Sequence, residues 1–430
     1  MQVPPSSRGR RWPFYGWWIV AAAFWMYALN SGLFGFTFGA YMLQMQERFG
    51  WSKFAMSTAY SASQFATGLA GPAQGWAIDR FGPRAMMTVG SLLFGLAFMA
   101  LAAVHSLLAL YAAVLAITLG GAMAGFLTTT TGVASWFQRR RALALGISST
   151  GLGAGGLLAP LIAWSIVTYG WRPTAFASGI AILALGLPLS QLMRRRPEDY
   201  GLLPDGVVGP GPREQRRGPG PALGSIDFTL GEALRDRSFW LTSLGHGTAL
   251  LTVFAMMVHL VPYLVEEAGW SETSAQGLFG FVTLISVAGQ IGGGYLGDRF
   301  RKTFISALCM AGHCVAMLLL TFSTATEAIL AASLVHGLSW GVRAPLMMAI
   351  RADFYGRRYL ATIMGYSLVL VMFGSMIGPS FAGAMNDRFG DYQAAFLILG
   401  VLTGLGSTFF LLARRPPLPE RLKGLAGGAE

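Results

Sequence analysis

The chain has 430 residues, 54% hydrophobic and only 12% charged, with a net charge of +12. Soluble domains carry about 25% charged residues, so a chain this apolar could not cover its own surface in water. Windows without formal charge, such as 12–46, 85–138, 142–171 and 303–326, each exceed the ~20 residues that cross a bilayer, which makes this an integral membrane protein.

Taken in chain order, Arg8, Arg10 and Arg11 precede the first apolar run in the manner of a signal peptide. The run is far longer than an h-region and has no small-residue cleavage site, so a retained helix is expected. The pattern predicts twelve spans, roughly 14–38, 54–78, 85–104, 108–133, 142–168, 173–193, 238–265, 274–297, 303–323, 327–350, 359–386 and 392–413. This is an all-α architecture of two six-helix bundles, 1–193 and 238–415. Between them, 194–237 passes through Gly209-Pro210-Gly211-Pro212 and Gly218-Pro219-Gly220-Pro221, a composition that builds no core and reads as a flexible linker. Near its end Thr229-x-x-Glu232 predicts a capping box opening a short helix. Cys309 and Cys314 share the ninth span on different sides of a helix, suggesting neither a disulfide nor a metal site. The tail 416–430, with Pro416, Pro417 and Pro419, is expected to be disordered.

Charge placement sets the topology. Of the 31 Lys and Arg, Arg48, Lys53, Arg172 and Arg388 fall on one face and Arg343 within a span; the remainder share the face of the N-terminus. By the positive-inside rule both termini are cytoplasmic, and the compact loops suit a bacterial inner membrane. The basic excess is therefore topology rather than a nucleic-acid footprint, and its attraction to anionic lipid is a by-product.

The two bundles repeat each other at a constant offset. Gly50-Trp51-Ser52 recurs as Gly269-Trp270-Ser271; Gly75, Asp79, Arg80 and Phe81 as Gly294, Asp298, Arg299 and Phe300; Gly146, Gly155 and Pro160 as Gly365, Gly374 and Pro379. A head-to-tail duplication of apolar helices points to a transporter with its substrate between two bundles. Glycines concentrate in the second, fifth, eighth and eleventh spans, where small residues let backbones approach closely in lipid. Those four spans are expected to form the interface between the halves.

Gly75-x-x-x-Asp79-Arg80-x-Gly82-x-Arg84, with its twin Gly294-x-x-x-Asp298-Arg299-x-Arg301-Lys302, resembles the loop signature of the major facilitator superfamily. The resemblance implies a gating role for Gly75, Asp79, Arg80, Arg84, Gly294, Asp298 and Arg299, the acid pairing with the facing helix when the inner gate shuts. A charged turn that merely stops the helix is the structural alternative. The run Trp136 to Gly146, with its aromatic pair, Arg139-Arg140-Arg141 and Leu143-Ala144-Leu145-Gly146, is similar to the signature before the fifth helix of monocarboxylate transporters. Tyr15-Gly16-Trp17-Trp18 likewise resembles that family's opening, without its acidic residue and second glycine. Two family features are missing: the Asp and Arg of the eighth helix, where only Gln276, Thr283, Ser286 and Gln290 are polar, and the basic residue of the first helix.

Arg343 stands in their place. A central arginine costs at least ~2.5 kcal/mol on insertion scales, so it should face a partner or a water-filled cavity. No acid lies at comparable depth in the sequence. An unpaired guanidinium is a natural seat for a carboxylate, and His336, Ser339 and Trp340 share its helix face. Snorkelling to the lipid surface is the alternative. His246 and His259 on the seventh span are proton-coupling candidates, each also readable as a hydrogen-bonded bundle histidine. Tyr27, Asn30, Tyr41 and Thr129 could bond an organic anion, although a threonine equally bonds its own helix.

Together these residues predict a monomeric secondary carrier, needing no cofactor, that moves a small organic anion by alternating access with a proton or a counter-anion. Efflux of amphipathic drugs or siderophores on the same fold, or a non-transporting sensor, are the alternatives. An enzyme is disfavoured, because no nucleotide loop, metal cluster or catalytic triad spacing is present.

Overall fold

A computed structural model describes residues 14–206, 227–419 and 421. Arg8, Arg10 and Arg11, the two Gly-Pro runs of the linker and the tail beyond Arg421 lie outside the described residues.

Among the described residues twelve long helices carry the fold: α1 (Gly16–Phe49), α2 (Lys53–Phe81), α3 (Pro83–Ala102), α4 (Leu107–Trp136), α5 (Arg141–Tyr169), α6 (Trp171–Leu192), α7 (Arg237–Glu266), α8 (Glu272–Arg299), α9 (Lys302–Phe322), α10 (Thr326–Tyr355), α11 (Leu360–Phe389) and α12 (Gln393–Leu412). Ten are long and apolar enough to cross a membrane. The other two, α2 and α10, match them in length at 29 and 30 residues but carry more polar positions. The chain is a multi-pass membrane protein.

The repeated Gly-Trp-Ser element shows why the boundaries fall where they do. Gly50 and Gly269 take left-handed φ of 68° and 71°, which glycine reaches without steric cost. Two residues later Ser52 and Ser271 cap α2 and α8, accepting from Ala55 N and Ser274 N at 3.2 Å. Each cap satisfies one of the backbone donors that a helix start leaves open.

Three helices are interrupted, α5 only by the single turn residue Thr150, which keeps helical dihedrals. A π-turn, Ser31–Gly35, interrupts α1, and α4 breaks at Gly125. The α4 break strands carbonyls that lipid cannot hydrate. Asn30 Nδ2 donates to Gly121 O at 2.7 Å, and Gln74 Nε2 donates to Ala122 O at 2.6 Å.

The core is divided in a way that reports the conformation. One apolar cluster joins both halves near the basic face that carries the chain ends, drawing on Ile78, Leu145, Leu346 and Leu360. The other two large clusters are each confined to one half. Glycine contacts agree. A Cβ on Gly75 would overlap the Ala361 carbonyl of α11, and one on Gly294 would press on the Ala142 carbonyl of α5. Beyond Gly153, which packs on Val287, a Cβ on Gly155 or Gly156 of α5 would first meet residues of its own half, and one on Gly277 or Gly280 of α8 would meet nothing within 4 Å. The halves are shut at the basic face, through the four helices whose glycine content predicted that interface.

Both ends of the linker are anchored. Thr229 and Glu232 form the expected capping box of the short helix Leu230–Arg235. Arg421, within the segment expected to be disordered, donates to Glu232 Oε1 at 2.8 Å and draws its carboxyl down to about 2.

Candidate functional site

The two signature acids bond backbone of the opposite half, in two copies. Asp79, near the end of α2, accepts from Ala361 N at 3.2 Å and from Thr362 N and Oγ1 at 2.8 and 2.6 Å. Asp298, near the end of α8, accepts from Ala142 N at 2.8 Å and Leu143 N at 2.9 Å. Ala142 and Ala361 are equivalent by the repeat. Both donors pairs sit in the first turn of α5 or α11, where N–H groups lack intrahelical acceptors and the helix dipole is positive. Each half thus caps a helix of the other, and Gly75 and Gly294 permit the approach by having no side chain.

The signature cations lie elsewhere. Arg80 rests over the Trp76 and Phe81 rings, Arg299 over Tyr295, and Arg84 donates to Gln191 within the N-terminal half. Among the described residues none of the three reaches the other half. The cations that do so are Arg141, which pairs with Asp353 alongside Lys302 at 2.8 Å, and Arg357, which donates to Ser135 O at 2.6 Å. A cavity of ≈ 440 Å³ lies at this seam, lined by Asp79, Arg195, Arg196, Asp199, Asp227, Arg358 and Tyr359. None of its lining residues is among the charged groups that act on Arg343.

Arg343 itself is 1% exposed, and its Nε and Nη1 have no hydrogen-bond partner. Because α10 runs to Tyr355, the guanidinium sits twelve residues from the helix end, about 18 Å of rise and deeper than the sequence spacing implied. It does not snorkel. The groups within its electrostatic reach are His246 on α7, Cys309 and His313 on α9, and His336 and Arg351 on α10. All belong to the C-terminal half, and none is a carboxylate.

The neighbours share its hydrogen-bond deficit. His336 Nδ1 lies 3.2 Å from His313 Nδ1, so in the neutral pair one ring donates and the other accepts. His313 Nε2 and His246 Nδ1 are buried without partners; elsewhere, on α8, so is Gln290 Oε1. Ser339 faces α9, where a Cβ on Gly312 would overlap its hydroxyl, and Trp340 is half-buried. Sequence reasoning missed His313, which carried no signal beyond being a polar residue in an apolar span. Arg351 was counted with the basic face; α10 extends far enough to bury it at 1% exposure, bonded to Ser367 Oγ at 2.6 Å and Met347 O at 2.7 Å.

Other candidates are engaged structurally. His259 Nε2 donates to Pro379 O at 2.9 Å, which leaves Nδ1 to accept from Tyr392 at 3.1 Å in the neutral ring. Thr129 Oγ1 donates to Gly125 O at 2.8 Å in its own helix. Tyr27 faces Phe126 O at 3.5 Å, and Tyr41 pairs with Ser178 at 3.5 Å inside the N-terminal half. Among the described residues no hydrogen bond or ring contact joins Tyr27, Asn30, Tyr41 or Thr129 to the Arg343 cluster.

Two matched bundles of six helices, each capping a helix of the other, are a carrier's architecture. The family model for the Major Facilitator Superfamily matches residues 20–260 and 242–429. The chain belongs to the major facilitator superfamily. Among curated superfamily members it is 30% identical to monocarboxylate transporter 11 of Homo sapiens, over 92% of this chain and 82% of that protein. It is 25% identical to the oxalate:formate antiporter of Oxalobacter formigenes, over 96% and 95%. A solved superfamily transporter, FucP in the outward conformation, superposes with a TM-score of 0.72 at 15% identity, covering 93% of this chain and 98% of that one. The superfamily assignment and the monocarboxylate transporter resemblance read from the motifs therefore hold.

Proposed function

We propose that the chain is a secondary carrier of a small organic anion, oriented with both termini in the cytoplasm. The observation that carries this reading is Arg343: a buried guanidinium with two orphaned donors and no carboxylate within reach among the described residues. Burying an unpaired cation is costly, and leaving its donors unmade adds to the cost. A carboxylate passenger removes both penalties and suits the planar fork. The similarity to monocarboxylate and oxalate:formate carriers supports the same cargo class.

In this reading the basic-face gates are the inner gate, closed here, and the substrate enters from outside. The His313–His336 pair, two helical turns from Arg343 on α10, is the proton-holding group if transport is proton-coupled; His246 is a second candidate, on the other side of the same electrostatic neighbourhood of Arg343 and Arg351. His259 has both nitrogens occupied and is left out.

The test is uptake by purified protein in proteoliposomes across a panel of carboxylates. Arg343→Ala is expected to abolish uptake at unchanged incorporation, and Arg343→Lys to retain a fraction, because a point charge keeps the attraction without the fork. Full uptake by Arg343→Ala removes the arginine from the mechanism. Collapse of uptake when the pH gradient is dissipated identifies symport; dependence on internal anion identifies exchange.

A further inference from the structure

The linker between the halves carries two acids that do the same thing at equivalent places. Asp205 accepts three backbone N–H groups from the loop before α5: Gln138 at 3.0 Å, Arg139 at 2.8 Å and Arg140 at 3.3 Å. Asp227, at the other end of the linker, accepts from Arg357 N at 2.8 Å and Arg358 N at 3.0 Å in the loop before α11. Gln138 and Arg139 correspond to Arg357 and Arg358 at the offset of the internal repeat. The linker itself is outside the duplicated region, so the match arises separately at its two ends.

Each end is bound to its own half. On the N-terminal side Arg194 lies between the rings of Tyr15 and Tyr200, at 3.8 and 4.2 Å, and Trp136 Nε1 donates to Arg194 O at 3.1 Å. On the C-terminal side Phe228 N donates to Tyr355 O at 2.9 Å. Asp205 is also the one non-glycine residue with positive φ among the described residues, at 60°. Side chains rarely hold that conformation, and it persists where the surroundings over-determine it.

We propose that Asp205 and Asp227 are positioning residues of the inner gate. Each fixes the loop that presents the first turn of α5 or α11 to the gating carboxylate of the opposite half, Asp298 or Asp79. The loop clamps lie within single halves and stay made as the halves rock, while the Asp79 and Asp298 contacts break and re-form. The linker is then a pair of brackets rather than a passive tether. Glu198, bonded to Arg357 at 2.6 Å, is the point where the first bracket reaches across to the second half. The inference rests on the shut gate and the superfamily's rocking halves, not on the cargo.

The test reads gate opening without substrate. In full-length protein with Cys309→Ala and Cys314→Ala, Met364→Cys places a thiol at a position 1% exposed inside the shut gate, and labelling by a hydrophilic maleimide in detergent reports opening. Asp205→Ala and Asp227→Ala are each expected to speed labelling about tenfold, the effect of losing a charge-assisted contact set. Asp205→Gly, which relieves the left-handed backbone but lacks the carboxylate, should label as fast as Asp205→Ala; Asp205→Asn should fall between. Parental labelling rates in both alanine variants overturn the proposal. So does Asp205→Gly at the parental rate beside a fast Asp205→Ala, since the residue would then serve only its turn. Should Asp205→Ala fail to accumulate, Asp227→Ala and Asp205→Gly carry the test.

Discussion

The two contacts proposed as the inner gate are equivalent by sequence repeat yet are built to different strengths. Asp79 meets Thr362, whose hydroxyl adds a third hydrogen bond at 2.6 Å; Asp298 meets Leu143, which has none to give. The second gate has instead an ionic tie, with Arg141 and Lys302 both on Asp353. The repeat-equivalents of that tie are Leu360, Pro83 and Ala134, which hold no charge. The shared part is a carboxylate on helix-start amides, and the unshared part is a supplement: a hydroxyl on one side, a salt bridge on the other. Duplication therefore preserved the backbone contact, which depends on helix geometry, and left the side-chain additions free to differ.

The largest expected effect comes from removing the shared part. Asp79→Ala should open the inner gate and lower uptake by more than tenfold, Asp298→Ala by somewhat less, because three bonds are lost against two at about 1.5–3 kcal/mol for each bond to a charge before compensation by water. Equal effects, measured as uptake at matched incorporation, would show that the hydroxyl adds nothing. Next comes the ionic tie. Arg141→Ala leaves Asp353 with Lys302 alone and should weaken the second gate several-fold, less so at high salt, because Asp353 is one-third exposed and part of the attraction is screened. Uptake that ignores both the mutation and the salt would remove the tie from the gate.

Thr362→Val and Leu143→Thr exchange the supplements. The first should cost about 1 kcal/mol and raise gate opening about fivefold, while the second should strengthen the Asp298 gate by a similar amount if its hydroxyl reaches. Labelling of a gate cysteine checks both, and an unchanged rate for Thr362→Val would deny the third bond. The smallest effect is expected from Glu232→Gln, which loosens Arg421 without touching either gate. The Arg421 guanidinium holds the Glu232 carboxyl near about 2, below the usual glutamate range, so the pairing is present at neutral pH and lost only as the pH falls through that value. Uptake by Glu232→Gln should match the parent between pH 5 and 8.

Much of this was legible in the chain itself. The glycines of the second, fifth, eighth and eleventh spans announced the interface because a close helix crossing leaves no room for a Cβ, and only small residues allow it. Asp79 and Asp298 were visible as a recurring acid at a helix end. Their partners were not, since a backbone amide has no letter in the sequence. The signature resemblance gave Arg80 and Arg299 a gating role, but both side chains lie over rings of their own helices.

The candidate site shows the same division. That Arg343 would be costly and lack an acid followed from hydropathy and residue count. That His313 lies 3.2 Å from His336, from a different helix, required α9 and α10 to be packed together. Asn30 read as a cavity residue, yet it donates to a carbonyl freed by the break of α4 at Gly125, a demand created on another helix.

Hydropathy, repeat spacing and small-residue placement by themselves determined the number of helices, their pairing into halves and the four that meet, because these are set by the bilayer and by steric size. The tertiary structure alone decided which polar groups are satisfied and which are left wanting, because a hydrogen bond is a matter of distance and direction between groups far apart in the chain.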